Sequence, residues 1–155
     1  MLHPSSQAVN DILAAAGLPG RVRILDRPAP TAAAAAEQLG WPIGAIANSL
    51  VFASADDEPV LIMTSGAHRV NLDQVHSRYG LDLRRAPADF VRAHTSQPIG
   101  GVAPVGHPAP IRTLVDRALA AYDLLWAAGG IPHAVFPLSY ADLVRLTNGL
   151  EADVS

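Results

Sequence analysis

The chain contains no cysteine and no lysine; its eleven basic residues are all arginine. Without cysteine there is no disulfide framework, no thiolate metal site and no cysteine nucleophile. Without lysine there is no Schiff base and no lysine-bearing phosphate loop. Charge is scarce as well. Charged residues make up 16 % of the chain, and the formal net charge is −3. That balance excludes a broadly basic nucleic-acid-binding surface, and with it a DNA-binding role, while leaving local contact with RNA open. No apolar run reaches the ~18–20 residues of a membrane span. The longest, Ile43–Ala55, is broken by Asn48 and Ser49. The first residues, Met1-Leu2-His3-Pro4, lack the basic and apolar regions of a secretory signal, so a cytoplasmic protein is expected. Half of the 155 residues are hydrophobic, which suits one folded domain over 1–155 and excludes a disordered chain.

Local signals mix helices and strands without strict alternation. Ser5 and Ser6 open a helix through Ala16, with Val9, Ile12 and Leu13 on one face. Thr31 and Gly40 bracket an alanine-rich helix as cap and stop. Ala45–Ala53 and Val60–Thr64 flank the turn-forming Asp56-Asp57-Glu58-Pro59 and predict a hairpin. Helices are expected over Asn71–Tyr79 and Ala88–Ala93, and briefly over Asp116–Ala121. A final helix begins at Ser139 with Asp142 as a capping pair and ends at Gly149. Short strands fall at Val22–Leu25, Leu81–Arg85, Ile111–Val115, Asp123–Ala127 and Ala134–Phe136. The expectation is an α+β domain with a mixed sheet.

Pro98 to Pro108 carries three glycines and three prolines in eleven residues and cannot be a regular element. Adjacent Gly100 and Gly101 let backbone approach a ligand and can aim amides at an anion or a polarised carbonyl. The same pair also suits a tight structural turn. It is not a dinucleotide fingerprint, because the third glycine is misplaced. Asn48-Ser49 interrupts an apolar strand, where one side chain faces inward and needs a partner, either backbone or ligand. The six histidines, at 3, 68, 76, 94, 107 and 133, lack helical zinc-pair spacing, so no metal is expected. No Gly-x-Ser-x-Gly elbow supports a serine triad. Trp41 and Trp126 suit core or rim. Arg84, Arg85 and Arg92 suit a solvated face or a phosphate patch.

The order of Ile46-Ala47-Asn48-Ser49-Leu50-Val51-Phe52, then Thr64-Ser65-Gly66-Ala67-His68-Arg69-Val70-Asn71, then Ile99 to His107, then Ala127-Ala128-Gly129-Gly130 resembles the YbaK/EbsC family. These are the prolyl-tRNA-synthetase-associated editing domains, and the resemblance runs from about Ser5 to Gly149. It implies an α+β fold with a mixed, partly barrel-like sheet flanked by short helices. It implies hydrolysis, in trans and without cofactor or metal, of the ester joining a wrong amino acid to the tRNA acceptor end. Prolyl-tRNA synthetase is the implied partner enzyme. Carried over residue by residue, it implies catalytic roles for Asn48, Gly100 and Gly101. It implies substrate contacts at Ser49, Gly66, His68, Val102, Ala103, Pro104 and His107. In such members the Gly100–Pro104 loop holds the aminoacyl ester, and a lysine on the first long strand touches the substrate. Here that lysine is Asn48, an aspartate common in the family is Asn71, and Thr95-Ser96-Gln97-Pro98 replaces a glycine-containing approach to the loop. Two functions follow: a trans-acting aminoacyl-tRNA deacylase, favoured by the glycine loop, or a binder of the same fold without turnover, favoured by the missing lysine. A small-molecule ester or amide hydrolase lacks a nucleophile motif.

Overall fold

A computed structural model describes residues 2–155. Eight strands form one mixed sheet: β1 (Arg23–Ile24), β2 (Ile46–Ser54), β3 (Pro59–Ser65), β4 (Leu83–Arg85), β5 (Arg112–Asp116), β6 (Leu125–Ala128), β7 (Ala134–Leu138) and β8 (Leu150–Ala152). Their order is β1-β7-β6-β2-β3-β5-β8, with β4 paired to β2 off that path. The mixed sheet is as expected, and it runs open from β1 to β8 rather than closing. The β2–β3 hairpin is antiparallel, whereas β3–β5, β5–β8 and β2–β6 are parallel. Two strands share one edge of β2: β6 at Ile46 and Ala47, and β4 at Phe52 to Ser54.

Helices cover both faces, as the unbroken burial along β3 after Pro59 and along β5 after Arg112 requires. On one face, α1 (Pro4–Ala15), α4 (Ala88–Thr95) and α5 (Tyr140–Thr147) pack Val9, Leu13, Val91 and Leu143 against Leu61, Met63 and Phe136. On the other face, α2 (Ala32–Leu39) lays Ala35 and Ala36 on Ile46 and Trp126. There α3 (Leu72–Tyr79) lays Val75 near Phe52 and Ile62. Between Ile46 under α2 and Phe52 near α3, the same face of β2 presents Asn48 and Leu50.

The caps explain most boundaries. Thr31 Oγ1 accepts from Ala34 N at 3.2 Å, and Gly40 ends α2 in the left-handed region. Asn71 accepts from Gln74 N at 3.0 Å, so it caps α3 through its side-chain oxygen. Three expectations are corrected. His3, not a serine, caps α1, because Pro4 occupies the first turn and Ser6 is drawn inward to donate to Gly129 O at 2.7 Å. The last helix stops one residue early, with Asn148 left-handed at φ +50. The short helix after β5 is a 3-10 turn over Arg117–Ala121, capped by Asp116.

Candidate functional site

Asn48, Ser49, Gly100 and Ala128, with Pro30 and Thr31 from the approach to α2, border one cleft of about 170 Å³. Beyond Gly100 and Ser49, a second hollow of about 140 Å³ runs between Val51, Val91 and Val102, with Arg85 at its lip. Asn48 and the glycine loop, about fifty residues apart in the chain, therefore meet along the edge of β2. The Asn48 side chain is half-buried and makes no hydrogen bond among the described residues. Ile99, 56 % exposed, stands at the rim. Among the described residues, no aspartate, glutamate or histidine lines either hollow.

The glycine loop is built as a turn held from behind. Gly101 N donates to Pro98 O at 2.9 Å across a left-handed Gly100 (φ +88). A Cβ on Gly100 would meet Pro30 at 3.0 Å, and one on Gly101 would lie 2.5 Å from the Ile131 carbonyl carbon. Both glycines thus serve close backbone approach. Buried Gln97 grips the far side: its Oε1 accepts from Ala103 N at 2.7 Å, and its Nε2 donates to Val105 O at 3.2 Å. Thr95 Oγ1 accepts in turn from Gln97 N at 3.0 Å. Ser96 takes the left-handed conformation (φ +61) that ends α4 just before Gln97. His107 Nε2 meets Ala103 O at 2.8 Å. Burial holds the His107 pKa below its usual value, partly opposed by that carbonyl, so the ring is neutral and donates through Nε2. The amides of Gly101 and Ala103 are thereby engaged, whereas those of Gly100 and Val102 have no partner among the described residues.

A second polar cluster lies on the same sheet face. Thr64 sits directly across from Asn48. Its Oγ1 donates to Asp116 Oδ2 at 3.2 Å, and the same oxygen accepts from Ser65 N at 2.9 Å and meets His68 Nε2 at 2.5 Å. Asp116 Oδ1 accepts from Ala118 N at 3.0 Å. Ser65 Oγ donates to Gly44 O at 2.8 Å. This cluster is closed by its own bonds.

The expected site residues divide accordingly. Asn48, Ser49, Gly100 and Val102 border the cleft. Gly101, Ala103, Pro104 and His107 form the loop's supported side. Gly66 and His68 belong to the Asp116 end, where Gly66 packs against Ile43 O and Ala32. Trp126 is buried and Trp41 stands edge-on to it at the rim, 5.9 Å between ring centres. Arg84 pairs with Asp57, which leaves Arg85 at the cleft. Sequence reasoning missed Gln97 and Asp116. The signal for Gln97 was a lone amide side chain between a helix end and a proline-glycine turn. Among the described residues, no helix is long and apolar enough to cross a membrane.

The model of the aminoacyl-tRNA editing domain matches residues 26–146. The solved structure of a proposed trans-editing enzyme for prolyl tRNA synthetase superposes with a TM-score of 0.92 at 36 % identity, over 100 % of this chain and 99 % of that one. The structure of hypothetical protein APE2540 gives 0.87 at 31 % identity, over 95 % and 98 % of the two chains. The uncharacterized protein YwhH of Bacillus subtilis (strain 168) is 27 % identical over 109 residues, 70 % of this chain and 69 % of that protein.

Proposed function

The chain belongs to the aminoacyl-tRNA editing domain family, and from that membership we propose that it is a trans-acting deacylase of mischarged tRNA, serving the proline system in the cytoplasm. The observation that carries this reading is the cleft itself. An unpartnered Asn48 amide faces a glycine loop with two unengaged N–H groups, at Gly100 and Val102. Ester hydrolysis needs such donors, because water addition turns the carbonyl oxygen into an oxyanion. Each well-placed donor is worth about 10²–10³ in rate in well-studied cases. Collapse of that intermediate breaks the bond to the terminal ribose and releases amino acid and uncharged tRNA.

No lining side chain is a general base, so the attacking water gives its proton to a second water or to a group of the substrate. Asn48 donates to the ester or to the terminal ribose. Both hollows fall below the ~300–1,000 Å³ of drug-sized pockets. They suit a small aminoacyl group with the tRNA body outside. The net charge of −3 favours local contact, made mostly with the acceptor end, and Arg85 stands beside the cleft.

The test is incubation with alanyl-, cysteinyl- and seryl-tRNA for proline, with prolyl-tRNA as control, following ester survival. Loss of at least one mischarged ester, with prolyl-tRNA spared, is expected. Survival of all of them sinks the proposal. The absent lysine favours a second reading, a non-catalytic binder of aminoacyl-adenosine-like ligands or tRNA. It would show as retention of charged tRNA without hydrolysis.

A further inference from the structure

The register of β2 isolates one main-chain position. Gly66 N donates to Ile46 O and Ser54 N to Glu58 O, each at 2.9 Å, at the two ends of the β2–β3 ladder. Bonding alternates along an antiparallel pair, so Ile46, Asn48, Leu50 and Phe52 turn their backbone groups to β3. Ala47, Ser49, Val51 and Ala53 turn theirs to the opposite edge. On that edge β6 pairs only as far as Ala47 with Ala127, and β4 starts at Phe52 with Arg85. Ser49 lies in the interval. Neither its N–H nor its C=O has a hydrogen-bond partner among the described residues. Its side chain is turned away, with Oγ donating to Met63 Sδ at 3.2 Å. Both cleft hollows touch Ser49, and Gly100 faces it across the gap.

An N–H and a C=O on one residue of a bare strand edge are the pattern that a residue of a neighbouring strand completes. An α-aminoacyl ester is chemically one such residue. Its α-ammonium donates, its ester carbonyl accepts, and both sit on the same Cα. We propose that the Ser49 main chain binds the aminoacyl group as a one-residue strand, its C=O accepting from the α-ammonium and its N–H donating to the ester carbonyl. The proposal rests on the reading that this cleft holds an aminoacyl ester. Ser49 then recognises atoms common to every α-amino acid. Discrimination among side chains falls to the hollows on either side of Gly100.

Amide hydrogen exchange on the ¹⁵N-labelled full chain tests this. The probes are 3′-alanylamido-3′-deoxyadenosine, a non-hydrolysable mimic, and its propionyl analogue, which lacks only the α-amino group. In the free protein the Ser49 amide should exchange at least about tenfold faster than those of Asn48 and Leu50, which are bonded to β3. Saturating alanyl mimic should slow Ser49 by about tenfold or more, and the propionyl analogue should bind at least about tenfold more weakly. If the alanyl mimic shifts the Asn48 and Gly100 resonances but leaves Ser49 exchange unchanged, the proposal is overturned and the deacylase reading stands. Equal affinity of the two mimics also overturns it. Failure of the mimic to bind a chain that hydrolyses mischarged tRNA does the same. Failure to hydrolyse any mischarged tRNA counts against the deacylase reading instead.

Discussion

Asn48 and Thr64 face each other across one ladder, yet their surroundings differ completely. Thr64 belongs to a cluster in which Asp116 collects bonds from Thr64, Ser65, His68 and Ala118. Asn48 belongs to a cleft where its side-chain amide and the main-chain N–H groups of Ser49, Gly100 and Val102 have no partner among the described residues. Burying a polar group without a partner is costly, so a folded chain bonds such groups to one another or leaves them where a ligand or water reaches them. Polarity in an apolar strand thus does not by itself mark a site. The state of its hydrogen bonds does.

The largest effect should come from breaking the closed cluster. Asp116→Ala strands two buried donors, Ser65 N–H and Thr64 Oγ–H. At about 1–3 kcal/mol each, the loss should total about 2–6 kcal/mol of unfolding free energy by denaturant titration. A loss as small as that of Asn48→Ala, expected within about 0.5 kcal/mol, would erase the contrast.

Gln97 comes next, because it connects the two kinds of place. It is a satisfied buried side chain that positions an unsatisfied loop. Gln97→Leu leaves Ala103 N–H without its acceptor and should cost about 1–3 kcal/mol. Deacylation should fall further than in a comparably destabilised variant remote from the loop. Equal activity at matched stability would detach Gln97 from the site.

Asn48 itself should act on binding rather than on folding. Asn48→Ala should lose one or two neutral bonds to acylated tRNA, each worth about 0.5–1.5 kcal/mol. Asn48→Lys should tighten tRNA binding and steepen its salt dependence by about one counterion. Three indistinguishable salt titrations would place position 48 away from the ligand.

The smallest expected effect is that of pH on the loop. Burial depresses the His107 pKa, so the unfolded chain takes up a proton that the folded chain resists. Stability from this residue is complete above the ordinary histidine value of about 6.5 and declines as pH falls below it toward the depressed folded value. Thermal melts between about pH 5 and 7 should show a shallower slope for His107→Gln than for the native chain. An identical slope would mean that the ring does not titrate against Ala103 O.

Much of this contrast was legible in the sequence, though unevenly. The hairpin was visible because Asp56-Asp57-Glu58-Pro59 separates two apolar runs. Helix α2 was visible because Thr31 and Gly40 bracket it. Asn48 stood out as a polar break. The three-residue β8 was not visible, since Leu150-Glu151-Ala152 holds only good helix formers and no β-branched or aromatic residue. Which loop amides are engaged was also hidden. Gly101 and Ala103 are held by Pro98 O and by a glutamine side chain, and no spacing rule encodes either bond. The Ser49 gap lay deepest, because it arises where two strands from distant parts of the chain stop short of each other on one edge.

The cleft is bordered by Pro30, Asn48, Gly100 and Ala128, so no contiguous stretch of chain contains it. A partly folded molecule lacking β6 or the glycine loop has no cleft at all. Any ligand that fits the cleft therefore binds the native state and not the unfolded one. At a free concentration of about 100 times its Kd, it would raise apparent stability by about 2.7 kcal/mol. The melting temperature of the whole domain thus becomes a reporter of what the cleft holds, and mischarged acceptor-end mimics can be ranked by melting curves before any ester is cut.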